Sequence, residues 1–145
     1  MDIVIENAGV ATTKYRSTKD GWEETYAPCP FPPWWNSSDN GSLQVNALST
    51  FLLAFLLLPL LRKTTKISTT HPRLVIVSSE LHAWNDIPNY RDEPNILKAM
   101  NDQQKHEGRH RYPQTKLLDT LLTRELGKKL ESSSHPEDKQ ISLSG

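Results

Sequence analysis

Cysteine and closely spaced glycine are what this sequence most clearly lacks. Cys29 is the single cysteine among 145 residues, so neither an internal disulfide nor a thiol metal cluster can form. The six glycines are scattered, and none has the spacing of the turns that hold phosphate. A lone thiol suits a reducing compartment, and residues 1–10 show neither a basic start nor a cleavage site for secretion. We therefore expect a cytoplasmic protein without a metal site.

Net charge is missing as well. The 17 lysines and arginines balance the 17 aspartates and glutamates. A neutral chain has no general attraction for nucleic acid or for acidic membranes. The basic cluster at 105–111 lies in a hydrophilic stretch, which is typical of a solvated loop. The composition predicts no nucleic-acid partner.

The longest apolar run is too short for a membrane span. Phe51–Leu61 contains eleven residues without a charge, with polar residues on both sides, whereas a spanning helix needs about 20. The pattern predicts a helix over Leu43–Leu61 that is buried on nearly all faces, in the core or at a subunit interface. Pro59 is expected to kink or end it.

Short apolar runs alternate with helical patterns along the chain. Asp2–Glu6 and Arg73–Ser78 have the pattern of buried strands, and Gln140–Leu143 begins a third. Tyr112–Leu130 has the period of an amphipathic helix, with its leucines on one broad stripe. Such units predict right-handed crossovers and a parallel sheet. The predicted fold class is α/β, a partial Rossmann-like parallel sheet of about three strands with flanking helices, in one domain over 1–145.

Two segments interrupt this alternation. Residues 84–111 are polar and form a longer connection than an ordinary strand-to-helix loop, which is typical of a functional segment. We expect them to shape a substrate pocket. Residues 26–42 are rich in proline and tryptophan, and the prolines exclude a regular helix or central strand there.

Polar residues gather where the predicted strands end. Asn7-Ala8-Gly9 follows the first strand and Ser78-Ser79 the second, at the edge where ligands bind in open α/β sheets. Asn46 is an amide inside the most apolar helix and must find hydrogen-bond partners. Tyr112 and Lys116 lie four apart on one helical face, so the ammonium can approach the phenol oxygen and favour the phenolate. Each signal also has an ordinary structural explanation, but their order on successive elements favours a chemical site.

These motifs, in this order, resemble the short-chain dehydrogenase/reductase family. The segments DIVIENAGV, LQVNALST, RLVIVSSELH and YPQTKLLDTLLTREL are similar to its retinol-dehydrogenase-like branch and to members from fungal secondary metabolism. The resemblance implies an oxidoreductase that interconverts a small alcohol and a carbonyl by hydride transfer with NADP or NAD. A homo-oligomer is left open.

The resemblance also implies a role for each catalytic residue. Tyr112 is the general acid/base, and Lys116 favours its phenolate and holds the nicotinamide ribose. Ser79 polarises the substrate carbonyl, with Ser78 as the weaker choice. Asn46 supports a proton relay through water.

Cofactor binding is where this sequence departs from the family pattern. The implied cofactor-binding residues are Asn7, Tyr112 and Lys116. The family's Gly-rich TGxxxGxG turn, which holds the pyrophosphate, has no counterpart among the six glycines. We expect the chain to be shortened at both ends relative to the family. The alternatives to an active enzyme are an inactive fragment or a proline-rich interaction module.

Residues 26–42 split two stretches that are nearly adjacent in the resembling sequences. Their number suits a small intron that has been retained and translated, which is our preferred hypothesis. The rival hypothesis is a surface loop that docks a partner.

Deleting residues 26–42 is expected to stabilise the chain or to raise its soluble yield. Phe31, Trp34 and Trp35 have no obvious core to join, and exposed apolar groups promote association. Thermal melting and the soluble fraction would be compared with those of the parent chain. A clear loss of stability would show that the segment packs on the fold, and would contradict the intron hypothesis.

Overall fold

The computed structural model describes residues 1–9, 11, 14–26, 43–67, 70–105 and 108–145. The predicted insertion lies outside this part of the chain, Tyr26 excepted, and so does Cys29. The strands of the described part are β1 (Ile3–Glu6), β2 (Lys14–Ser17), β3 (Glu23–Tyr26), β4 (Arg73–Ile76) and β5 (Ser142–Ser144). Its α-helices are α1 (Thr50–Ile67), α2 (Ile96–Met100) and α3 (Arg111–Glu131).

The main sheet is parallel, with the strand order β1-β4-β5. Val4 pairs with Leu74, which pairs in turn with Leu143 on the other side. Leu74 and Ile76 are buried, so the central strand lies in the core and the other two form its edges. This arrangement confirms the predicted α/β class and partial Rossmann-like sheet, although β5 begins two residues later than expected.

An apolar cluster joins this sheet to α1 and α3. Burying one large aliphatic side chain stabilises a fold by about 1.5–3 kcal/mol, so these contacts hold the layers together. The buried members are Phe51, Ala54, Leu61, Leu74, Ile76, Leu126, Leu130 and Ile141.

The apolar helix is longer than predicted and begins with unusual winding. Leu43–Ser49 forms a π-helix, and α1 continues from it through Pro59 to Ile67. We expected Pro59 to kink or end the helix, and the expectation that the helix ends there is wrong. Pro59 lies on the exposed side, where the carbonyl that a proline leaves without a partner can bond water instead.

The prediction that this helix is buried on nearly all faces is wrong for one face. The continuous helix Leu43–Ile67 has 25 residues and a mean hydropathy of 1.9, which suffices for a membrane span by length and composition. Only 33% of its most apolar window is buried, and a core helix can pass the same test of length. The outer face of α1 consists of residues that are each 47–65% exposed: Leu52, Leu53, Phe55, Leu56 and Leu60.

The amphipathic helix is confirmed as α3, but its apolar stripe is only partly covered. Leu118 and Leu126 are buried, whereas Leu121 and Leu122 are 41% and 36% exposed. Leu122 lines a groove of about 400 Å³ together with residues of α1. One uncovered leucine from each helix, Leu52 and Leu122, thus lies in this groove.

A hairpin that the sequence patterns did not predict follows β1. Strands β2 and β3 pair antiparallel, and the hydroxyl of Thr18 accepts hydrogen bonds from the backbone N–H groups of Asp20 and Trp22. Gly21 has a φ of +78°, in the region that favours glycine. Asp20-Gly21 is a hairpin signal, and it was missed because the flanking residues do not alternate apolar with polar.

The described residues between 84 and 111 form a packed body rather than an open loop. The hydroxyl of Tyr90 donates to the carbonyl of Lys105 at 2.6 Å, and the guanidinium of Arg111 lies 5.8 Å from the centre of the Tyr90 ring. This body leads directly into the first turn of α3. Its buried side chains form a second cluster with the π-helix and α3, made of Leu43, Ala47, Ile87, Tyr90, Ala99, Met100 and Leu118.

Neighbouring leucines of α1 provide a matched test of this packing. Leu61→Ala is expected to lower the free energy of unfolding by about 2–5 kcal/mol, because it leaves a cavity. Leu60→Ala should cost far less, since Leu60 is 47% exposed. Denaturant titration of the two variants measures the difference. Equal losses would show that the outer face of α1 is covered in solution.

Candidate active site

The candidate site lies at the carboxyl ends of β1 and β4. Their parallel register sets Glu6 opposite Ile76, so the segments after both strands emerge at the same edge. Asn7 and Ser79 lie on these segments, and the π-helix packs against α3 beside them. In open α/β sheets this is the edge where ligands bind.

Asn46 connects the π-helix to α3. Its side chain is fully buried, and its Nδ2 donates to Thr115 Oγ1 at 2.9 Å. Thr115 Oγ1 in turn donates to the carbonyl oxygen of Tyr112 at 2.8 Å. The expected need of this buried amide for partners is thus confirmed. The π-helical winding directs Asn46 inward, and such winding is frequent at functional sites.

Lys116 is buried and held by two oxygens. Its Nζ donates to the carbonyl of Val77 at 2.9 Å and to Asp119 Oδ2 at 3.0 Å. The sequence led us to expect the ammonium beside the phenol of Tyr112, and this approach stays a prediction; the two hydrogen bonds of Nζ go to Val77 and Asp119. Asp119, one helical turn further on, offers a full negative charge, which attracts the ammonium more strongly than a neutral phenol does.

Gly9 lies over the Lys116 ammonium. A Cβ at this position would come within 3.5 Å of both Lys116 Nζ and Asn46 Oδ1. The glycine backbone of the β1 loop therefore packs close to two polar atoms whose side chains are buried. Three separate segments of the sequence motifs meet at this point.

Tyr112 stands in the first turn of α3 and is half-buried. Pro113 follows it, in the part of a helix where a missing N–H costs nothing. The carbonyl of Tyr112 is tied to Thr115, whereas its hydroxyl has no hydrogen bond to the described part of the chain. Its role as acid/base remains a prediction.

The two serines after β4 have different contacts. Ser78 Oγ donates to the carbonyl of Lys116 at 3.0 Å and lies 3.0 Å from Thr120 Oγ1. Ser79 caps a short 3₁₀ turn, and its Oγ accepts a long bond of 3.3 Å from the backbone of Leu81. Ser78 thus ties the strand to α3, while Ser79 is held less firmly. The choice of Ser79 for catalysis remains a prediction.

Asn7 lies at the rim of a neighbouring cleft. Its side chain is exposed, and it lines a cleft of about 310 Å³ together with Val45, Ser49 and Thr50. The structure therefore places it between β1 and the π-helix, on the same edge of the sheet. Its predicted role in cofactor binding remains a prediction.

Two buried carboxyls near Lys116 were missed from the sequence. Glu6 is 8% exposed and Asp119 is 1% exposed. Burial, followed by the charge of Asp119, raises the pKa of Glu6 to about 7. Burial raises the pKa of Asp119 to about 6, although Lys116 acts to lower it. A glutamate ending an otherwise apolar strand was the signal that could have drawn attention to this pair.

Several known proteins with similar sequences are dehydrogenases by name. A short-chain dehydrogenase of Penicillium roqueforti is 38% identical over 99 residues, which cover 68% of this chain and 26% of that protein. A short-chain dehydrogenase of Alternaria solani is 34% identical over 130 residues, which cover 90% of this chain and 39% of that protein. Human retinol dehydrogenase 14 is 33% identical over 134 residues, which cover 92% of this chain and 31% of that protein. No family model matches the chain, and no solved structure matches it.

The fold and the similarities lead to the same classification. A parallel sheet with its candidate site at the carboxyl ends of the strands is typical of α/β proteins, in which ligands bind at that edge. The chain belongs to the short-chain dehydrogenase/reductase family. It spans between 26% and 39% of the length of these three curated relatives.

The two serines can be separated by their effect on stability. Ser78→Ala is expected to lower the free energy of unfolding by about 0.5–1.5 kcal/mol, because it removes a partly buried hydrogen bond between β4 and α3. Ser79→Ala should cost less, since its bond is long and exposed. Denaturant titration gives both values. A larger loss for Ser79→Ala would show that Ser79, not Ser78, ties the strand end down.

Proposed function

We propose that this chain carries the catalytic residues of an NAD(P)-dependent oxidoreductase that interconverts an alcohol and a carbonyl. The observation that supports this proposal most directly is the meeting of Gly9, Asn46 and Lys116 at one point of the sheet edge. These residues come from three distant segments of the chain. Tyr112 precedes Lys116 by one helical turn, on the same face.

The residues at this edge suit the nicotinamide end of a dinucleotide. NAD(P), when bound, supplies or accepts the hydride. The ammonium of Lys116 and the hydroxyl of Tyr112 would be donors of the kind that ribose hydroxyls require, and Gly9 lies beside the ammonium. Asn7 would border the adenosine side. Nothing in these residues favours NADP over NAD.

The proton chemistry falls to the side chains of this chain. Tyr112 would give or take the proton at its phenol oxygen, a contribution typically worth about 10²–10⁴ in rate. Lys116 favours the phenolate through its positive charge. Ser79 would donate a hydrogen bond to the substrate carbonyl oxygen, and Asn46 would support a relay through water.

The substrate proposal goes no further than a small alcohol or carbonyl. The described residues between 84 and 111 form a body that leads into the turn carrying Tyr112, and Trp84 at its start is 83% exposed. Such a position would let this body contact a substrate of Tyr112. A role in secondary metabolism extends the similarity to fungal dehydrogenases, and we place the protein in the cytoplasm. The outer face of α1 would let two copies associate.

The competing proposal is that the chain is an inactive fragment. Its supporting observation is the exposure of apolar side chains on the edge strand β1, where Ile3 is 59% and Ile5 is 64% exposed. Cofactor binding separates the two proposals. Saturating NADPH or NADH should raise the melting temperature of a binding-competent chain and leave that of an inactive fragment unchanged.

Tyr112→Phe tests the catalytic assignment in a chain extended to carry a Gly-rich nucleotide-binding half. Turnover is expected to fall by about 10³-fold, near the middle of the range for general acid–base catalysis. Lys116→Ala should also move the pH optimum upward, because the phenolate loses a stabilising charge. The turnover of Tyr112→Phe and the pH profile of Lys116→Ala are both measured from the absorbance of NAD(P)H.

Tyr90→Phe is the matched control for this experiment. Its hydroxyl is tied to the carbonyl of Lys105, so its loss should affect stability and leave turnover in place. Retention of more than about a tenth of the activity in Tyr112→Phe would contradict the assignment, given the expected size of the effect. An unchanged pH profile in Lys116→Ala would show that Lys116 acts in another way.

A further inference from the structure

Arg111 is the largest fully buried side chain in the described part of the structure, and the proposed chemistry gives it no role. It is 0% exposed, and it stands at the first position of α3, immediately before Tyr112. Burial of a guanidinium is costly unless other groups match its charge and its N–H donors. A residue of this kind at this place therefore calls for an explanation.

The start of α3 has few of the features that ordinarily stabilise the N-terminus of a helix. His110 occupies the cap position, and its side chain makes no capping hydrogen bond to the described residues. The first turn contains no acidic residue. Because the N-terminal end of a helix carries a partial positive charge, a cation there is unfavourable. Contacts with other parts of the fold must therefore hold this turn in place.

The Arg111 guanidinium contacts an aromatic ring and an amide. Its Cζ lies 5.8 Å from the centre of the Tyr90 ring, and its Nη1 donates to Gln114 Oε1 at 3.2 Å. The three side chains are each at most 1% exposed. A guanidinium within about 6 Å of a ring centre is attracted to the ring, more strongly where water is excluded. One side chain is thus held both by its own helix and by a residue 21 positions earlier in the sequence.

Tyr90 is itself fixed within residues 84–105 of the packed body. Its ring belongs to the same buried cluster as Ile87 and Met100, and its hydroxyl donates to the carbonyl of Lys105 at 2.6 Å. The ring cannot move with Arg111 unless these contacts move as well. Arg111 therefore links the packed body to the start of α3.

This link completes the restraint of the backbone around Tyr112. On one side is the anchored side chain of Arg111. On the other side, the carbonyl of Tyr112 accepts a hydrogen bond from Thr115 Oγ1 at 2.8 Å, and Thr115 is in turn held by Asn46. The place from which the Tyr112 side chain leaves the helix is thus set by two independent anchors.

We propose that Arg111 is a positioning residue, which joins the packed body to the first turn of α3 and thereby fixes where Tyr112 stands. Through this link, the body that would contact a substrate keeps one arrangement relative to the tyrosine that would exchange a proton with it. The importance of this arrangement for catalysis rests on the proposed function, whereas the link itself does not.

Amide hydrogen exchange of the 145-residue chain tests the link. Arg111→Met is expected to reduce the protection of the Tyr90 and Ala99 amides by about tenfold, because the body opens more often once a desolvated contact of this kind is lost. The amides of Val77 and Ser142, which bond within the main sheet, should keep their protection. Arg111→Lys should restore little, since it keeps the charge and lacks the planar guanidinium.

A double-mutant cycle identifies the ring of Tyr90 as the partner. The effect of Arg111→Met should largely disappear in a Tyr90→Leu background, where no ring remains, and should persist in Tyr90→Phe, which keeps the ring. Arg91→Met is the control. Arg91 lies on the same body, but its side chain is 65% exposed in a surface ion pair, so its loss should change protection little.

The position of Tyr112 is read separately from its ring ¹H–¹³C resonances, assigned with Tyr112→Phe. These resonances are expected to shift or broaden in both Arg111→Met and Arg111→Lys, and to stay unchanged in Arg91→Met. A loss of global stability alone would not move them in the folded chain.

Three results would overturn the proposal. One is equal loss of protection in the packed body and at Val77 and Ser142, which would show that Arg111 stabilises the whole fold. Another is additivity of Arg111→Met with Tyr90→Leu. The third is a set of Tyr112 ring resonances that does not respond to either Arg111 variant. None of these measurements needs cofactor or turnover, so failure of this proposal is distinct from failure of the proposed oxidoreductase function.

Discussion

The hydrogen bond from Lys116 to the carbonyl of Val77 is the contact on which the site depends. It fixes the first turns of α3 against the end of β4, at a distance of 2.9 Å. Ser78 reinforces the same junction from the strand side, and Asn46 reaches it through Thr115. Because a buried ammonium must find acceptors, the helix has little freedom to slide along the sheet. The motif residues share one location for this reason.

Much of the fold could be predicted from short-range patterns. The run RLVI has apolar residues between polar boundaries, and it forms the central strand as expected. The helix after Tyr112 follows from its leucine period. These elements could be predicted because the burial of several neighbouring residues produces a regular apolar pattern in the sequence.

The errors arise where burial depends on distant contacts. The sequence of α1 is apolar all round over Phe51–Leu61, so it cannot show which side the sheet covers and which side stays exposed at Leu56. Hairpin β2–β3 depends on its turn, not on alternation. Glu6 and Asp119 look like ordinary acidic residues, and only their burial in the folded chain makes them unusual. The candidate site residues could be predicted from the family resemblance, but the hydrogen-bond partners of Lys116 could be identified only from the structure.

The direction in which Asn46 points depends on the number of residues in the π-helix Leu43–Ser49. A π-turn contains one more residue than an α-turn, and each residue of an α-helix advances the chain by about 100°. If this segment lost one residue and relaxed to ordinary winding, side chains before the deletion would rotate by about that angle relative to α1. Asn46 would then point away from Thr115 while the apolar contacts of α1 with the sheet stayed in place. The extra residue therefore sets the rotation of the π-helix relative to α1, and a deletion after Asn46 would turn Leu43 of the second cluster out of the core together with Asn46.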